Sequence, residues 1–467
     1  GNGIEIKDAN TKFTNYGNIR IGNLASISNT CTYVHSGGQF ENKPGGNMEL
    51  NNTNLYHGIG IAGTNTVFSN AGILKIGNTN KINFFGLAVE NWSTFNNLAG
   101  AVVEIDSVAS YDGLVITGNS IFNNLGHLKV GNNNSMGWRC LNMGSGGQLN
   151  NLSTGVIELN RTKNNWNAIE LYNTGTQLIN QGLIKIGNVA PILLSCIAMF
   201  SESQFENSSI GVLEMNNTVN GHGIHTRDLN TKFDNFGIVK MGFNRKIHDI
   251  GILMESGSKF NNYANATIEI DSIKNRDGIR CTSASTVFEN AGTIKIGKTY
   301  PISVHGITLS SAGCVFNNQT TGIMEVNRCW NGLNVIGAAN FNNSGSIKIG
   351  NLAALQSDGI RLAGSGLSAF TNQISGVVEI DNVPNFFAVD PGSGTIVSNY
   401  GTFKIGINSQ VFHGIGTSFG TAGSFNNYGS LEFKNILNNG IHSNQTLHNN
   451  PGATLSVPAA GKLQIAN

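Results

Sequence analysis

The strongest constraint in this sequence is an internal repeat of about 27.5 residues. An aromatic or aliphatic residue, followed two positions later by asparagine, recurs along the whole chain, and the first sixteen occurrences step by 25 to 29 residues. The series is Phe13/Asn15, Phe40/Asn42, Phe68/Asn70, Phe95/Asn97, Phe122/Asn124, Leu149/Asn151, Leu178/Asn180, Phe205/Asn207, Phe233/Asn235, Phe260/Asn262, Phe288/Asn290, Phe316/Asn318, Phe341/Asn343, Phe370/Asn372, Val397/Asn399, Phe425/Asn427 and Leu447/Asn449. Such a period is typical of solenoids, which grow by adding coils instead of domains.

Two further segments keep the same period. A small residue and an aliphatic one precede the phenylalanine, as in Gly58-Ile59, and an apolar-charged-apolar triplet follows the asparagine, as in the segment 74–76. Each segment alternates with period two, which predicts a short strand buried on one face. Three such strands per coil predict an all-β fold, a single-stranded parallel β-helix (β-solenoid) of about 17 coils. We expect regular coils over 1–439 and a degenerate final coil, a candidate cap, over 440–467.

The repeat also predicts which side chains face the interior. The phenylalanine and the asparagine two residues later lie on the same side of a strand, so both columns should be internal. Stacked phenylalanines would supply much of the apolar burial, about 1.5–3 kcal/mol for each side chain. A column of identical amides can hydrogen-bond along the axis, as amides do in cross-β structures.

A charge ladder occupies the central position of the third strand, where base and acid alternate in sixteen consecutive coils. Its members are Arg20, Glu49, Lys75, Glu104, Lys129, Glu158, Lys185, Glu214, Lys240, Glu269, Lys295, Glu325, Lys348, Glu379, Lys404 and Glu432. The flanking apolar residues face inward, so these charges should face outward, each beside its opposite. We interpret the ladder as structural, because a slip by one coil would oppose like charges along the whole face.

A second difference alternates in phase with the charge. The phenylalanine precedes the charge by seven residues in basic coils, as from Phe288 to Lys295, and by nine in acidic coils, as from Phe260 to Glu269. Basic coils usually place glycine after the charged strand, whereas acidic coils place asparagine or aspartate. The sequence therefore predicts a two-coil unit of about 55 residues.

Composition argues against several classes of function. The formal net charge is +1, from 28 basic and 27 acidic residues without a basic block, so we predict no nucleic-acid partner. The longest apolar stretch, 190–200, is interrupted and too short to span a bilayer.

Cys31, Cys140 and Cys196 stand where glycine or alanine stands in other coils, which predicts small buried thiols.

Two patterns resemble catalytic or metal sites. Acidic pairs such as Glu104/Asp106 recur at equivalent positions, whereas an active site would break the repeat. Histidine precedes glycine four times, as in His222-Gly223, but other coils hold aspartate or asparagine there, so a polar turn residue is the better interpretation. We therefore predict no catalytic residues, no metal site, no cofactor and no enzymatic activity.

The best binding candidate is an aromatic ridge two positions before the small residue of the first strand. In five successive coils this position holds Tyr56, Phe84, Tyr111, Trp138 and Trp166. Aromatic side chains at one corner of the coils could stack on sugar rings or on another protein. The alternative is that they only pack the corner against the neighbouring loop.

One unit, Phe288-Glu289-Asn290-Ala291-Gly292-Thr293-Ile294-Lys295-Ile296-Gly297, resembles repeats of large secreted β-helix adhesins of Bacteroidota. The resemblance covers nearly the whole chain. It implies a right-handed β-helix in a secreted or surface-exposed adhesin, and hence an extracellular or cell-surface location.

The sequence favours a non-catalytic extracellular shaft, structural or adhesive, that could be one protomer of a surface filament. Expected partners are further copies of the chain, more of the same protein, or a cell-surface glycan or protein, because solenoid ends without caps expose strand edges. The alternative is a carbohydrate-binding module that uses the aromatic ridge. A polysaccharide lyase or hydrolase is the third hypothesis, disfavoured because no irregular cluster of acids appears.

Overall fold

The computed structural model describes residues 1–364, 367–417, 423–442 and 446–457. These residues form three parallel sheets in about 16 turns of roughly 27 residues, which confirms the predicted β-solenoid. They contain no helix, and so none long and apolar enough to cross a membrane.

The chain divides into two compact units. The first comprises Gly1–His225 and Asn230–Lys240, and the second comprises Thr226–Leu229 and Met241–Asn467. Within each unit, a coil contributes one short strand to each of the three sheets, and each strand pairs in parallel with its equivalent one coil further on.

The strands that begin in the first unit belong to three sheets. The first sheet contains Ile4–Lys7, Thr32–His35, Ile59–Ala62, Leu87–Glu90, Leu114–Ile116, Leu141–Met143, Ile169–Leu171, Ile197–Met199 and Ile224–Thr226. The second contains Lys12–Asn15, Gln39–Asn42, Val67–Asn70, Thr94–Asn97, Ile121–Asn124, Gln148–Asn151, Gln177–Asn180, Gln204–Asn207 and Lys232–Asn235. The third contains Asn18–Ile21, Asn47–Leu50, Ile73–Ile76, Val102–Ile105, His127–Val130, Val156–Leu159, Leu183–Ile186, Val212–Met215 and Ile238–Met241.

The second unit repeats this arrangement. Its first sheet contains Ile252–Met254, Ile279–Cys281, Ile307–Leu309, Leu333–Ile336, Ile360–Ala363, Val383–Pro391 and Val411–Ile415. Its second contains Lys259–Asn262, Val287–Asn290, Val315–Asn318, Asn340–Asn343, Ala369–Asn372, Ile396–Asn399, Ser424–Asn427 and Thr446–Asn449. Its third contains Thr267–Ile270, Thr293–Ile296, Ile323–Val326, Ser346–Ile349, Val377–Ile380, Thr402–Ile405, Ser430–Phe433 and Thr454–Ser456.

Two columns of side chains from the second sheet lie in the interior, as the alternation predicts. Phe288 and Phe316 are fully buried and stack with ring centroids 4.6 Å apart and an interplanar angle of 6°. The asparagines form an amide column, in which the Nδ2 of Asn290 donates to the Oδ1 of Asn318 at 2.7 Å. The same bond links successive coils from Asn15 to Asn235 in the first unit and from Asn262 to Asn449 in the second.

The two-coil unit has a physical origin in the turns. After a basic strand, Gly297 adopts a φ of +66°, and a Cβ there would collide with the carbonyl oxygen of Asn327 in the next coil. After an acidic strand, the Oδ1 of Asn327 accepts the N–H groups of Leu352 and Ala353 at 2.9 and 3.3 Å. Basic coils therefore need glycine at this position, and acidic coils need a side-chain acceptor.

The last part of the second unit departs from the regular pattern. The strand Val383–Pro391 has nine residues, and its register shifts between Val383 and Phe387. Strands Thr446–Asn449 and Thr454–Ser456 still pair with the preceding coil, so the final coil keeps two of its sheets. Residues 443–445 and 458–467 of the predicted cap, among them Pro458, lie outside the described residues.

The cysteines are buried thiols, as predicted for Cys31, Cys140 and Cys196. Burial raises the pKa of the Cys31 thiol to about 12 and also raises those of Cys140 and Cys196. These thiols therefore stay protonated and unreactive at neutral pH.

Candidate functional site

Strand register places the charge ladder on the outer side of the third sheet. In the first unit the pairing runs from Arg20 opposite Glu49 to Lys185 opposite Glu214, and each pair joins a base to an acid. The second unit shows the same order from Glu269 to Glu432. Lys240 lies in the strand that ends the third sheet of the first unit.

The ion pairs of the ladder are loose. Glu379 lies 3.2 Å from Lys404 and 4.0 Å from Lys348, and Arg20 lies 3.7 Å from Glu49. Exposed pairs of this kind contribute about 0.2–1 kcal/mol each. Their regular order can nevertheless bias strand register, because a shift by one coil would oppose like charges at every step.

The recurrent acidic pairs have a structural explanation. Asp106, two residues after Glu104, is buried, and its Oδ1 accepts the backbone N–H groups of Asn133 and Asn134 at 2.8 and 3.2 Å. Asp271 and Asp381 cap the equivalent turns in the second unit. One carboxylate of each pair is therefore occupied by a turn, while the other belongs to the ladder.

The position before the glycine of the first strand, which holds histidine in four coils and is here called the histidine slot, connects neighbouring coils. The Oδ1 of Asp112 accepts the N–H of Arg139 at 2.9 Å, and the Oδ1 of Asn331 accepts the N–H of Asp358 at 3.0 Å. Where the slot holds His57, burial lowers the imidazole pKa to about 4, so the ring is neutral at physiological pH. In the described part of the chain, no three or more His, Cys, Asp or Glu side chains cluster in a way that could hold a metal ion.

The structure brings all five aromatic residues of the ridge together on the first unit. Ring centroids are 6.4 Å apart for Tyr56 and Phe84, 4.1 Å for Phe84 and Tyr111, 4.4 Å for Tyr111 and Trp138, and 5.2 Å for Trp138 and Trp166. Four of the rings therefore lie close against their neighbours. Tyr56 is the most exposed member, at 50%, and meets Phe84 edge-on.

A charged cluster beside the ridge was not predicted. The guanidinium of Arg139 lies 4.2 Å from the ring centroid of Trp166, 2.8 Å from Glu170 and 3.5 Å from Asp112. Asn142 donates to the second oxygen of Asp112 at 2.9 Å. These contacts tie three consecutive coils together. A sequence signal exists, because Arg139 and Glu170 are charges within segments that are otherwise small or apolar.

Comparison with known proteins leaves the function open. No protein-family model and no curated protein matches the chain. Among solved structures, a hyper-glycosylated TibA fragment, modified by TibC, is similar with a TM-score of 0.32 and 10% identity, over 88% of this chain and 99% of that chain. A TM-score this low carries no argument, so any proposal of function depends on the residues of the chain itself.

Proposed function

We propose that this chain is a non-catalytic extracellular shaft with a structural or adhesive role, a protomer of a surface filament. The observation that carries the proposal is the amide column, which continues through every coil of each unit without a substituted member. An enzyme of this architecture would be expected to interrupt its repeat where reacting groups converge.

The recurrent acidic pairs support the same proposal. Asp106 and Asp271 accept backbone N–H groups of the next turn, and Glu379 pairs with lysines on both sides. These carboxylates are engaged in turns and ion pairs, so few of them are left for acid–base chemistry. A hydrolase or lyase would need two carboxylates held free around a substrate.

Self-association is the partner class that the fold supports best. Strands of one coil pair edge to edge with those of the next, as Val67–Asn70 pairs with Thr94–Asn97. Strand edges also present unpaired backbone groups, which pair readily with another strand. Further copies of the chain, or more of the same protein, are therefore the partners that we propose.

Electron microscopy of the native material tests the shaft directly. We expect rods or filaments, with no release of sugars or unsaturated products when the purified chain is incubated with a panel of polysaccharides. Isolated particles that degrade one of these polysaccharides would overturn the proposal.

Carbohydrate binding by the aromatic ridge is the second candidate function. It is favoured by the half-exposed Tyr56 and by the row of partly exposed rings that continues from it to Trp166. Trp138→Ala and Trp166→Ala variants separate the two roles of the ridge. Loss of glycan binding in a folded variant supports recognition, whereas loss of stability with binding retained supports corner packing.

A further inference from the structure

A cavity of about 270 Å³ opens on the outer side of the first sheet in the first unit. It lies at the end of the aromatic ridge, and Tyr56 belongs to both. The cavity is lined by Tyr33, Tyr56, His57, Glu90, Asn2, Asn29 and Thr30.

A glycine determines how closely two of these rings approach the strand. Strand register aligns Gly60 with Tyr33 in the preceding coil and with Ala88 in the following one. A Cβ on Gly60 would lie 2.9 Å from the ring of Tyr33 and 3.3 Å from that of His57. Gly60 has ordinary strand geometry, so its backbone does not require glycine. The effect of glycine at this position is to let the rings of Tyr33 and His57 pack against the outer side of the strand, beside the cavity.

The aromatic walls offer apolar surface without positive charge. The ring of Tyr56 is half-exposed and meets Phe84 only edge-on. The ring of His57 lies parallel to Phe85 with centroids 5.2 Å apart, which fixes its orientation. Because burial lowers the His57 pKa to about 4, this wall is uncharged at neutral pH.

The polar lining supplies hydrogen-bonding groups of both kinds. The carboxylate of Glu90 makes no hydrogen bond or ion pair within the described residues, and burial raises its pKa. Asn29 adds an amide and Thr30 a hydroxyl. No lysine or arginine lines the cavity, so nothing there would compensate the charge of an anionic ligand.

We propose that this cavity binds one neutral pyranose unit of a glycan. The electron-rich face of Tyr56 suits the C–H face of a sugar ring, and Glu90, Asn29 and Thr30 suit its hydroxyl groups. The volume is below the roughly 300–1,000 Å³ of pockets for drug-sized ligands, which fits a single sugar unit. A shaft needs no such cavity, so glycan binding here goes beyond the proposed function. Recognition is assigned to the cavity and not to the aromatic ridge as a whole.

The test uses the full chain and methyl glycosides of glucose, galactose, mannose and N-acetylglucosamine, with glucuronic acid and glucosamine as charged probes. Saturation-transfer NMR detects binding, and calorimetric titration measures affinity. We expect at least one neutral glycoside to bind, and Gly60→Val and Tyr56→Ala each to weaken it at least tenfold. Tyr428→Ala is the matched control, because it removes a 45% exposed tyrosine ring of the second unit that belongs to neither the ridge nor the cavity, and it should leave the affinity unchanged.

Circular dichroism of every variant verifies that the fold is retained, and Glu90→Gln gives a second, nearly isosteric test with an expected loss of about fivefold or more. The inference is overturned if no neutral glycoside binds, or if a charged probe binds better. It is equally overturned if Tyr428→Ala weakens binding as much as Tyr56→Ala. None of these results bears on the shaft, which electron microscopy tests on the unaltered chain.

Discussion

At the scale of single residues, asparagine is the side chain that the stacked coils select most strictly. Its amide offers donors and acceptors within one short group, so each member of the amide column can accept from one neighbour and donate to the next. Aspartate would lack the donor, and leucine would lack both functions. A buried column of this kind is stabilising only while all its members are paired.

We expect Asn290→Ala to lower the free energy of unfolding by about 2–4 kcal/mol, because it removes a hydrogen bond from each of two buried amide groups. The Nδ2 of Asn262 loses its 2.7 Å bond to the neighbouring amide and keeps a longer one, of 3.4 Å, to the carbonyl oxygen of Thr293, and the Oδ1 of Asn318 loses the Nδ2 of Asn290 as a donor. Asn317→Ala is the control, since this half-buried amide bonds on the outer face to Glu289 and Asn342. Urea unfolding measures both variants, and equal losses would contradict the special role of the internal column.

Asp358 illustrates the opposite case, a buried charge that costs stability. Burial and the neighbouring Asp390 raise its pKa from 3.8 to about 6, although the N–H of Phe387 and the nearby Arg361 act in the other direction. A carboxyl group whose pKa is raised in the folded state destabilises that state where it must ionise. This cost is therefore complete above about pH 6 and absent below the unfolded pKa of 3.8.

We predict that Asp358→Asn raises the free energy of unfolding by about 1–3 kcal/mol at pH 8, with the gain disappearing by about pH 4. Asparagine can keep the bond from the N–H of Phe387, since Asn331 accepts the same kind of bond one coil earlier. Thermal unfolding from pH 4 to pH 8 measures the effect. If the difference in stability between the variant and the wild type stays constant from pH 4 to pH 8, ionisation of Asp358 is not the source of the cost.

At the scale of strands and turns, the sequence predicts the fold well because each coil repeats one solution. The phenylalanine and asparagine columns and the alternating charges of the ladder can be predicted from the sequence without any knowledge of turn geometry. The cavity could not be predicted in this way. It depends on Gly60, whose missing side chain matters only once Tyr33 and His57 are placed around it. Likewise, the contacts of Arg139 require its long side chain to reach two neighbouring coils.

The charge ladder makes a prediction at the level of the third sheet. Glu379→Lys would turn the attractive pairs with Lys348 and Lys404 into repulsive ones. We expect a loss of about 1–3 kcal/mol at low ionic strength, against less than about 1 kcal/mol for the neutral control Glu379→Gln. The difference between the two variants should shrink in 1 M salt, which screens exposed charges. Urea titrations at both salt concentrations measure it, and a salt-independent difference would count against an electrostatic origin.

At the scale of the whole molecule, each unit is held together by contacts between neighbouring coils. The stability of such a protein is approximately a sum of coil and nearest-neighbour terms, so coils can be added or removed if the interfaces match. In this chain the interfaces come in two kinds. A basic coil brings a glycine turn, and an acidic coil brings an asparagine or aspartate turn that caps the coil after it.

Deleting coils from the second unit should therefore succeed only in pairs. Removal of 287–339 joins Thr286 to Asn340, so one basic coil replaces another and Glu269 faces Lys348 instead of Lys295. Removal of 287–314 takes out one coil only, which sets Glu269 against Glu325 and places two acidic turns in succession. We expect the longer deletion to give a soluble β-rich protein with a thermal midpoint near that of the wild type, and the shorter one to unfold at lower temperature or to aggregate. Circular dichroism melts of both proteins decide the matter, because a single-coil deletion as stable as the two-coil deletion would mean that the two-coil unit has no energetic basis.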